Sequence, residues 1–342
     1  MKQVLAALKA DCRDLHSELD LGTELLTALD AAYSGDRQKL GVLASRSRRQ
    51  SYVNGIISIY GLLEENVDKL VIEVASLYGS IYTKYADLPE RTREAYRELS
   101  LRCLLEKDRV RLRQPINESA AIHSLVSNSS DVPPQLVPSV FTYATSNYRF
   151  PYVLDLLLRV GVDARRRVEA GRTLKALTDS GLNFRSVDSL ISDLVTRRNE
   201  VAHSYQTVDM LDVSTLKAYL DVIQVYLEEL QLAASETILR VLADKQLELI
   251  GKVSHVWKEA IGVDMSAGSI EAPCSVLLVR DSAVAVISVS SLQSGGAPLL
   301  GRVRYASEVL QLGMGFSGEK PNGTEGAEVF VLPDRWTYLS LF

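Results

Sequence analysis

The sequence is short of cysteine and histidine, has no apolar run long enough to cross a bilayer, and carries no excess of positive charge. Each shortage removes a class of function. The three cysteines, Cys12, Cys103 and Cys274, lie far apart and form no CxxC or Cys/His ligand spacing. Neither a disulfide framework nor a thiolate zinc site is therefore expected, and the thiols are read as reduced. No metal and no cofactor are expected. The apolar run that follows Met1-Lys2 extends only from Val4 to Leu8, too short for a signal-peptide core, and nothing approaches the roughly 18 apolar residues of a membrane span. The expectation is a cytoplasmic protein with no membrane partner.

The formal net charge is −5. Residues 261–342 hold 8 acidic and 5 basic side chains, leaving 35 acidic and 33 basic in residues 1–260. Neither part is a polycation, which excludes broad attachment to duplex phosphates. Any contact with RNA has to be made by a local arginine group.

What the chain does have is apolar material, 46 % of its 342 residues, enough for a packed interior. That length exceeds the size at which single cores usually stop growing, so two domains are expected. Val4, Leu5, Leu8, Leu15, Leu19, Leu25, Leu26 and Leu29 recur at spacings near three and four and predict a helix over residues 3–32. Ile56, Ile59, Leu62, Leu63, Leu70, Val74 and Leu77 predict a longer one over 50–85, interrupted by Glu64-Glu65. Leu88-Pro89 is a stop, and a third helix follows over 90–113. Residues 127–138 have loop composition, and Pro151 opens a helix that runs to Val160.

Asn183, Ser186 and Asp188 offer capping groups ahead of Leu190, Ile191, Leu194 and Val195, which predicts a helix from about 187 to 204. Leucine and isoleucine spacing then predicts a connecting helix over 214–260. Beyond residue 261 the composition changes, with ten of the 20 glycines in the last 81 residues. Segments 275–279, 284–289 and 329–332 read as strands, separated by turns at Ser294-Gly295-Gly296, 313–318 and Asn322-Gly323. The fold class that follows is mainly α, with a helical domain over 1–213, the connecting helix over 214–260, and a small β or α+β domain over 261–342. Trp257 and Trp336 are expected to pack between that helix and the β domain.

The chemistry-bearing stretch is Thr196-Arg197-Arg198-Asn199-Glu200-Val201-Ala202-His203-Ser204. RNA cleavage by a ribose 2′-OH needs a base for its proton, an acid for the 5′-oxygen, and cationic donors for the transition state. Histidine moves protons near neutral pH, and arginine presents a planar fork that matches phosphate oxygens. The spacing alone is weakly specific. On a helix, Arg198 and His203 differ in direction by about 140°, whereas Asn199 and His203 share a face. That geometry favours a site completed by a second molecule. From the residues alone the competing reading is a helix-end cation beside a histidine that bonds free carbonyls.

Residues 187–204 resemble the active-site helix of the HEPN superfamily, in which an apolar stretch leads into Arg-Asn-x-x-Ala-His, usually followed by glycine; here Ser204 takes that place. Ser51-Tyr52-Val53 and Tyr60-Gly61-Leu62-Leu63-Glu64-Glu65 are similar to the early helix of the RiboL-PSP-type HEPN branch, as is the segment from Asn147 to Asp163. The resemblance covers roughly residues 1–230. It implies a helical bundle, a homodimer with both Arg-x4-His motifs in one cleft, and metal-independent cleavage of RNA to a 2′,3′-cyclic phosphate. Carried over, His203 is the general acid or base, Arg198 the phosphate-binding cation, and Asn199 the residue that orients the histidine or the phosphate. Glu64 or Glu65 would support them from the neighbouring helix. Arg197, Arg46, Arg49, Arg165 and Arg166 are weaker candidates for RNA contact, alongside Arg109, Arg111 and Arg113, all in charge runs that are more often solvated helix faces.

Two functional expectations follow. One is an endoribonuclease acting as a toxin or phage-defence effector, with an antitoxin or regulatory protein as a further partner. The other is a non-catalytic helical interaction module whose β domain binds a protein or nucleotide.

Overall fold

The structure, a computed structural model, describes residues 2–32, 37–106, 116–128, 131–144, 146–169, 171–203, 209–281, 283–304, 311–317, 321 and 323–339. The chain divides into two compact units, one of residues 3–79 with 83–234 and one of 235–342 with 1–2 and 80–82.

The first unit is helical. Its elements are α1 (Lys2–Ala32), α2 (Arg37–Ile81), α3 (Glu90–Leu105), α4 (Glu118–Ser127), α5 (Phe150–Arg159), α6 (Arg165–Val168), α7 (Gly171–Asp179), α8 (Val187–His203) and most of α9 (Val213–Lys245). The stripe Tyr52, Ile56, Ile59, Tyr60, Leu63, Val67, Leu70, Val71 and Val74 of α2 is buried, as the spacing requires of a helix that presents one apolar face to a core. Leu190, Ile191, Leu194 and Val195 of α8 are fully buried, and so are Leu220, Ile223, Tyr226 and Leu230 of α9. Helix starts follow local chemistry. The backbone N–H of Ala120 donates to Asn117 Oδ1 at 3.0 Å ahead of α4, and that of Ser189 donates to Ser186 Oγ at 3.2 Å ahead of α8. Pro89 precedes α3, and Pro151 sits in the first turn of α5.

The connecting helix expected over 214–260 is shorter. It ends at Lys245, and residues Leu249–Val256 form a strand. After Lys245 the apolar period changes: Ile250, Val253 and Val256 are buried, while Lys252, Ser254 and His255 are exposed. β-branched residues in that near-alternation favour an extended chain.

The second unit is built on a sheet of seven antiparallel strands, consistent with the expected β-rich domain. Its strands are β1 (Leu249–Val256), β2 (Ala260–Met265), β4 (Cys274–Arg280), β5 (Ala283–Ser294), β6 (Ala297–Leu299), β8 (Gln311–Ser317) and β9 (Glu328–Leu332), with β3 (Ser269–Ile270) and β7 (Val303–Arg304) as a separate small pair. The order is β4-β9-β1-β2-β8-β5-β6, and β4 also pairs with β5, so six strands close on themselves and leave no open edge among them. The long β5 makes the closure. Its residues 283–289 pair with β4 and its residues 288–293 with β8, through a register shift between Val289 and Ser291. Ile250, Val263, Val276, Leu278, Leu312, Met314 and Val329 belong to the core that results.

Ser294 and Ala297 are paired across Gly295 and Gly296, which both have positive φ, as a two-residue hairpin turn demands. The turn expected over 313–318 is instead the strand β8 as far as Ser317. Gly313 and Gly315 disguise it, because Leu312, Met314 and Phe316 alternate with them into the core while the glycines register with Gly262 and Ala260 on the opposite face. Trp336 is buried. Trp257 is 50 % exposed, stacked edge-on to His255 at 4.6 Å, so its expected burial is corrected: residues 249–256 carry it to a sheet face rather than along a helix. Among the described residues no helix is long and apolar enough to cross a membrane.

Candidate active site

The polar end of α8 is braced before it is functional. Asp193 and Arg197, one helical turn apart, pair through Arg197 Nε and Asp193 Oδ2 at 2.7 Å. Tyr219 of α9 donates its hydroxyl proton to the same oxygen at 2.7 Å. Arg197 Nη1 reaches the Tyr52 hydroxyl of α2 at 3.3 Å and the carbonyl oxygen of Asp209 at 2.8 Å. Burial and the neighbouring Asp193 carboxylate push the Tyr219 phenol above its usual range, so it stays a neutral donor. Arg197 thus ties α8 to α2 and to the chain entering α9. Its guanidinium is engaged inside the fold, which departs from the expected contact with RNA.

Arg198, the next residue, faces another side. Its guanidinium carbon lies 5.2 Å from the centre of the Tyr60 ring on α2, a cation over a π face. Tyr60 is buried, and its hydroxyl accepts from the Tyr148 N–H at 3.1 Å. Burial moves the Tyr60 phenol upward; the Tyr148 N–H and Arg198 pull it back, and the hydrogen bond to Glu64 adds to the rise. The ring is therefore a neutral platform. Glu64 is half-buried beside it, one turn further along α2. Glu65 points elsewhere, exposed and paired with Lys69 at 2.8 Å. Of the two carboxylates, Glu64 is the one that lies beside Tyr60.

Asp68, a further turn along the same face of α2, is buried and accepts the hydroxyl proton of Tyr148. Tyr60, Glu64 and Asp68 form an i, i+4, i+8 row, and its two ends, Tyr60 and Asp68, hold the strap 146–149 ahead of α5 through Tyr148. Asn147, on that strap, extends its Nδ2 to 3.5 Å from Asn199 Oδ1, and Arg198 Nη1 donates to the same oxygen at 3.2 Å. The structure therefore brings Arg198, Asn199 and Glu64 into one cluster, with Tyr60, Asn147, Tyr148 and Asp68 beneath and beside them. His203 is exposed, one turn beyond Asn199 and at the end of α8. Among the described residues it makes no hydrogen bond with Arg198. The departure at Ser204 lies outside the described residues.

Sequence reasoning gave no role to Tyr60, Asn147, Tyr148 or Asp68. The signals for them were the four-residue spacing of Tyr60, Glu64 and Asp68 on an otherwise apolar face and, for Tyr60, Asn147 and Tyr148, their place in segments that resemble the family. Of the weaker arginine candidates, Arg46 and Arg166 are exposed and Arg49 is half-buried. Arg165 is paired with Glu169 at 2.8 Å along the short α6. Arg109, Arg111 and Arg113 lie outside the described residues. A cavity of about 620 Å³ opens between α1, α2 and the start of α9, walled by Leu40, Leu43, Met210 and Leu216, but it contains neither Arg198 nor His203.

This arrangement can hold an anion on Arg198 and Asn199, and it exposes one imidazole a turn away. None of the curated proteins compared with the chain matches it. A family model described as RiboL-PSP-HEPN matches residues 23–236, a span that takes in the Tyr60–Asp68 row, the Asn147 strap and the whole of α8, and the chain belongs to that family.

Proposed function

We propose that this protein is an endoribonuclease that cleaves RNA by 2′-OH transesterification with protein side chains alone. The observation that carries this reading is the Arg198–Asn199 pair held on Tyr60 and Glu64, with His203 one turn away, inside a HEPN domain. Arg198 binds the scissile phosphate and stabilises the charge that grows on its oxygens. His203 takes the 2′-OH proton or protonates the 5′-oxygen, and a single imidazole cannot do both in one pass. A second copy supplies the other, so the active form is a homodimer with two Arg198–His203 sets in one cleft. A toxin or phage-defence role, controlled by an antitoxin or regulatory protein, is part of the same proposal.

Purified protein is expected to cleave single-stranded RNA in EDTA and to leave a 2′,3′-cyclic phosphate. Arg198→Ala and His203→Ala should each abolish cleavage while the dimer persists. Undiminished cleavage by the double variant sinks the proposal.

One observation favours a second reading, a non-catalytic module whose partner binds the β domain. The closed sheet of the second unit lies beyond the matched residues and has a core of its own. Binding of RNA without turnover, or a monomer at all concentrations, would support that reading.

A further inference from the structure

Two tyrosines of α2 meet two adjacent arginines of α8, and they do so in different ways. Tyr52 offers its hydroxyl oxygen to Arg197 Nη1 at 3.3 Å, and the same guanidinium also bonds Asp193 and the Asp209 carbonyl. Tyr60, two turns further along α2 and equally buried, offers Arg198 its ring, 5.2 Å from the guanidinium carbon. A hydroxyl oxygen takes up a guanidinium N–H, whereas a ring attracts the ion as a whole through its quadrupole. The contact with Tyr60 thus restrains Arg198 without pairing its N–H groups to an oxygen.

The ring is itself held. The Tyr60 hydroxyl accepts the Tyr148 N–H at 3.1 Å, which leaves its own proton for Glu64, one turn along α2. Tyr148 is anchored in turn by its hydroxyl on the buried Asp68. These bonds at the far end of the side chain, together with the packing around it, oppose any swing of the ring away from Arg198. The arginine is the looser partner. Its side chain has several rotatable bonds, and its hydrogen bond to Asn199 Oδ1 at 3.2 Å is to the next residue of the same helix. The ring gives it a direction from outside that helix.

We infer that Tyr60 is a positioning residue with two separable tasks: its ring aims the Arg198 guanidinium at the scissile phosphate, and its hydroxyl, tied to Glu64 and to the Tyr148 N–H, keeps the ring in place. That the target is a phosphate rests on the ribonuclease reading above.

The test uses the full-length chain with isotope-labelled arginine side chains. The Arg198 Nε–H resonance, identified by its loss in Arg198→Lys, should be displaced by the ring current of Tyr60. The displacement should persist in Tyr60→Phe and collapse in Tyr60→Leu. A wild-type resonance at the free-arginine position overturns the inference, and that result needs no variant of Tyr60 to fold. Binding is read with a fluorescent 2′-O-methyl oligoribonucleotide, which has no 2′-OH to attack. Tyr60→Leu should raise its Kd about tenfold in the wild type and about twofold or less in an Arg198→Ala background, because the ring acts through the guanidinium. Tyr60→Met stands in where Tyr60→Leu fails to fold. Tyr60→Phe should hold Kd within about twofold yet slow cleavage about tenfold, as Glu64→Gln does, with no further loss in the double variant. A merely structural tyrosine would behave otherwise: Tyr60→Phe would weaken binding as much as it slows cleavage, or Tyr60→Leu would act equally with and without Arg198. Either result overturns the inference. The ring-current and binding pattern without cleavage of RNA by any form keeps Tyr60 as the residue that aims Arg198 and removes the enzyme. Cleavage at wild-type rates by Tyr60→Phe and Tyr60→Leu keeps the enzyme and removes the inference.

Discussion

Arg198 lies with its guanidinium over the Tyr60 ring, 5.2 Å from the centroid, and that contact gives an arginine near the end of one helix a defined direction from another. A cation over a π face is favourable chiefly where water is partly excluded, and here Tyr60 is buried and Arg198 half-buried. The contact depends on the planar ion. Arg198→Lys keeps the charge and loses the fork, so RNA cleavage should fall by about 10²–10³-fold with a nearly unchanged melting temperature. Wild-type rates in Arg198→Lys would show that the fork is not used.

The two adjacent carboxylates of α2 should separate cleanly. Glu64 is hydrogen-bonded to Tyr60, and Glu65 is paired in solvent with Lys69. An exposed pair one turn apart contributes a few tenths of a kcal/mol at most, so Glu65→Gln is expected to match the wild type in both melting and turnover. Glu64→Gln should slow cleavage about tenfold by loosening the platform under Arg198. Equal effects from the two substitutions would contradict the placement.

Arg197 and Asp193 form a structural pair rather than a binding one. Asp193→Asn leaves Arg197 and Tyr219 with a weaker acceptor and should cost about 2 kcal/mol, read as a lower urea midpoint. Adding Tyr219→Phe should cost less than it does in the wild type, because both changes remove bonds to one oxygen. Strict additivity would place the two side chains in separate networks.

Buried tyrosines and thiols set the alkaline limit. Burial raises the phenols of Tyr60 and Tyr148, and the hydrogen bonds to Glu64 and Asp68 raise them further. A group whose folded value is raised contributes stability that is complete below the unfolded value and lost above it. For tyrosine the loss begins near pH 10, so the melting temperature should fall from about there upward, with a set of phenols that ionise only as the chain unfolds. Ultraviolet titration of native and urea-unfolded protein distinguishes them. Burial likewise pushes the Cys12 thiol up to about 12 and that of Cys103 to about 11. Both should resist a thiol reagent at pH 8 until the protein is denatured.

Much of the helical unit was legible in the sequence because a helix buries one face, and a spacing of three and four survives in the order of residues. That period gave α1, the apolar part of α2, and α8 from its Ser186 cap to His203. Composition marked the strand-rich end, and Gly295-Gly296 marked a hairpin. Where the local signal was ambiguous it misled: leucine-rich residues before Lys245 were extended across the true start of β1, and two glycines hid β8.

By itself the sequence determined the amphipathic elements, the HEPN-like Arg-Asn-x-x-Ala-His segment and the absence of a polycationic surface, since each is a property of neighbouring residues. It did not determine that Glu64 and not Glu65 lies beside Tyr60, that Arg197 bonds to Tyr52 while Arg198 lies over the Tyr60 ring, or that Asn147 meets Asn199. Those pairings depend on how α2, the 146–149 strap, α8 and α9 pack. A hydrogen bond between residues far apart in the chain leaves no periodic trace in it, and only the tertiary structure decides which donor finds which acceptor.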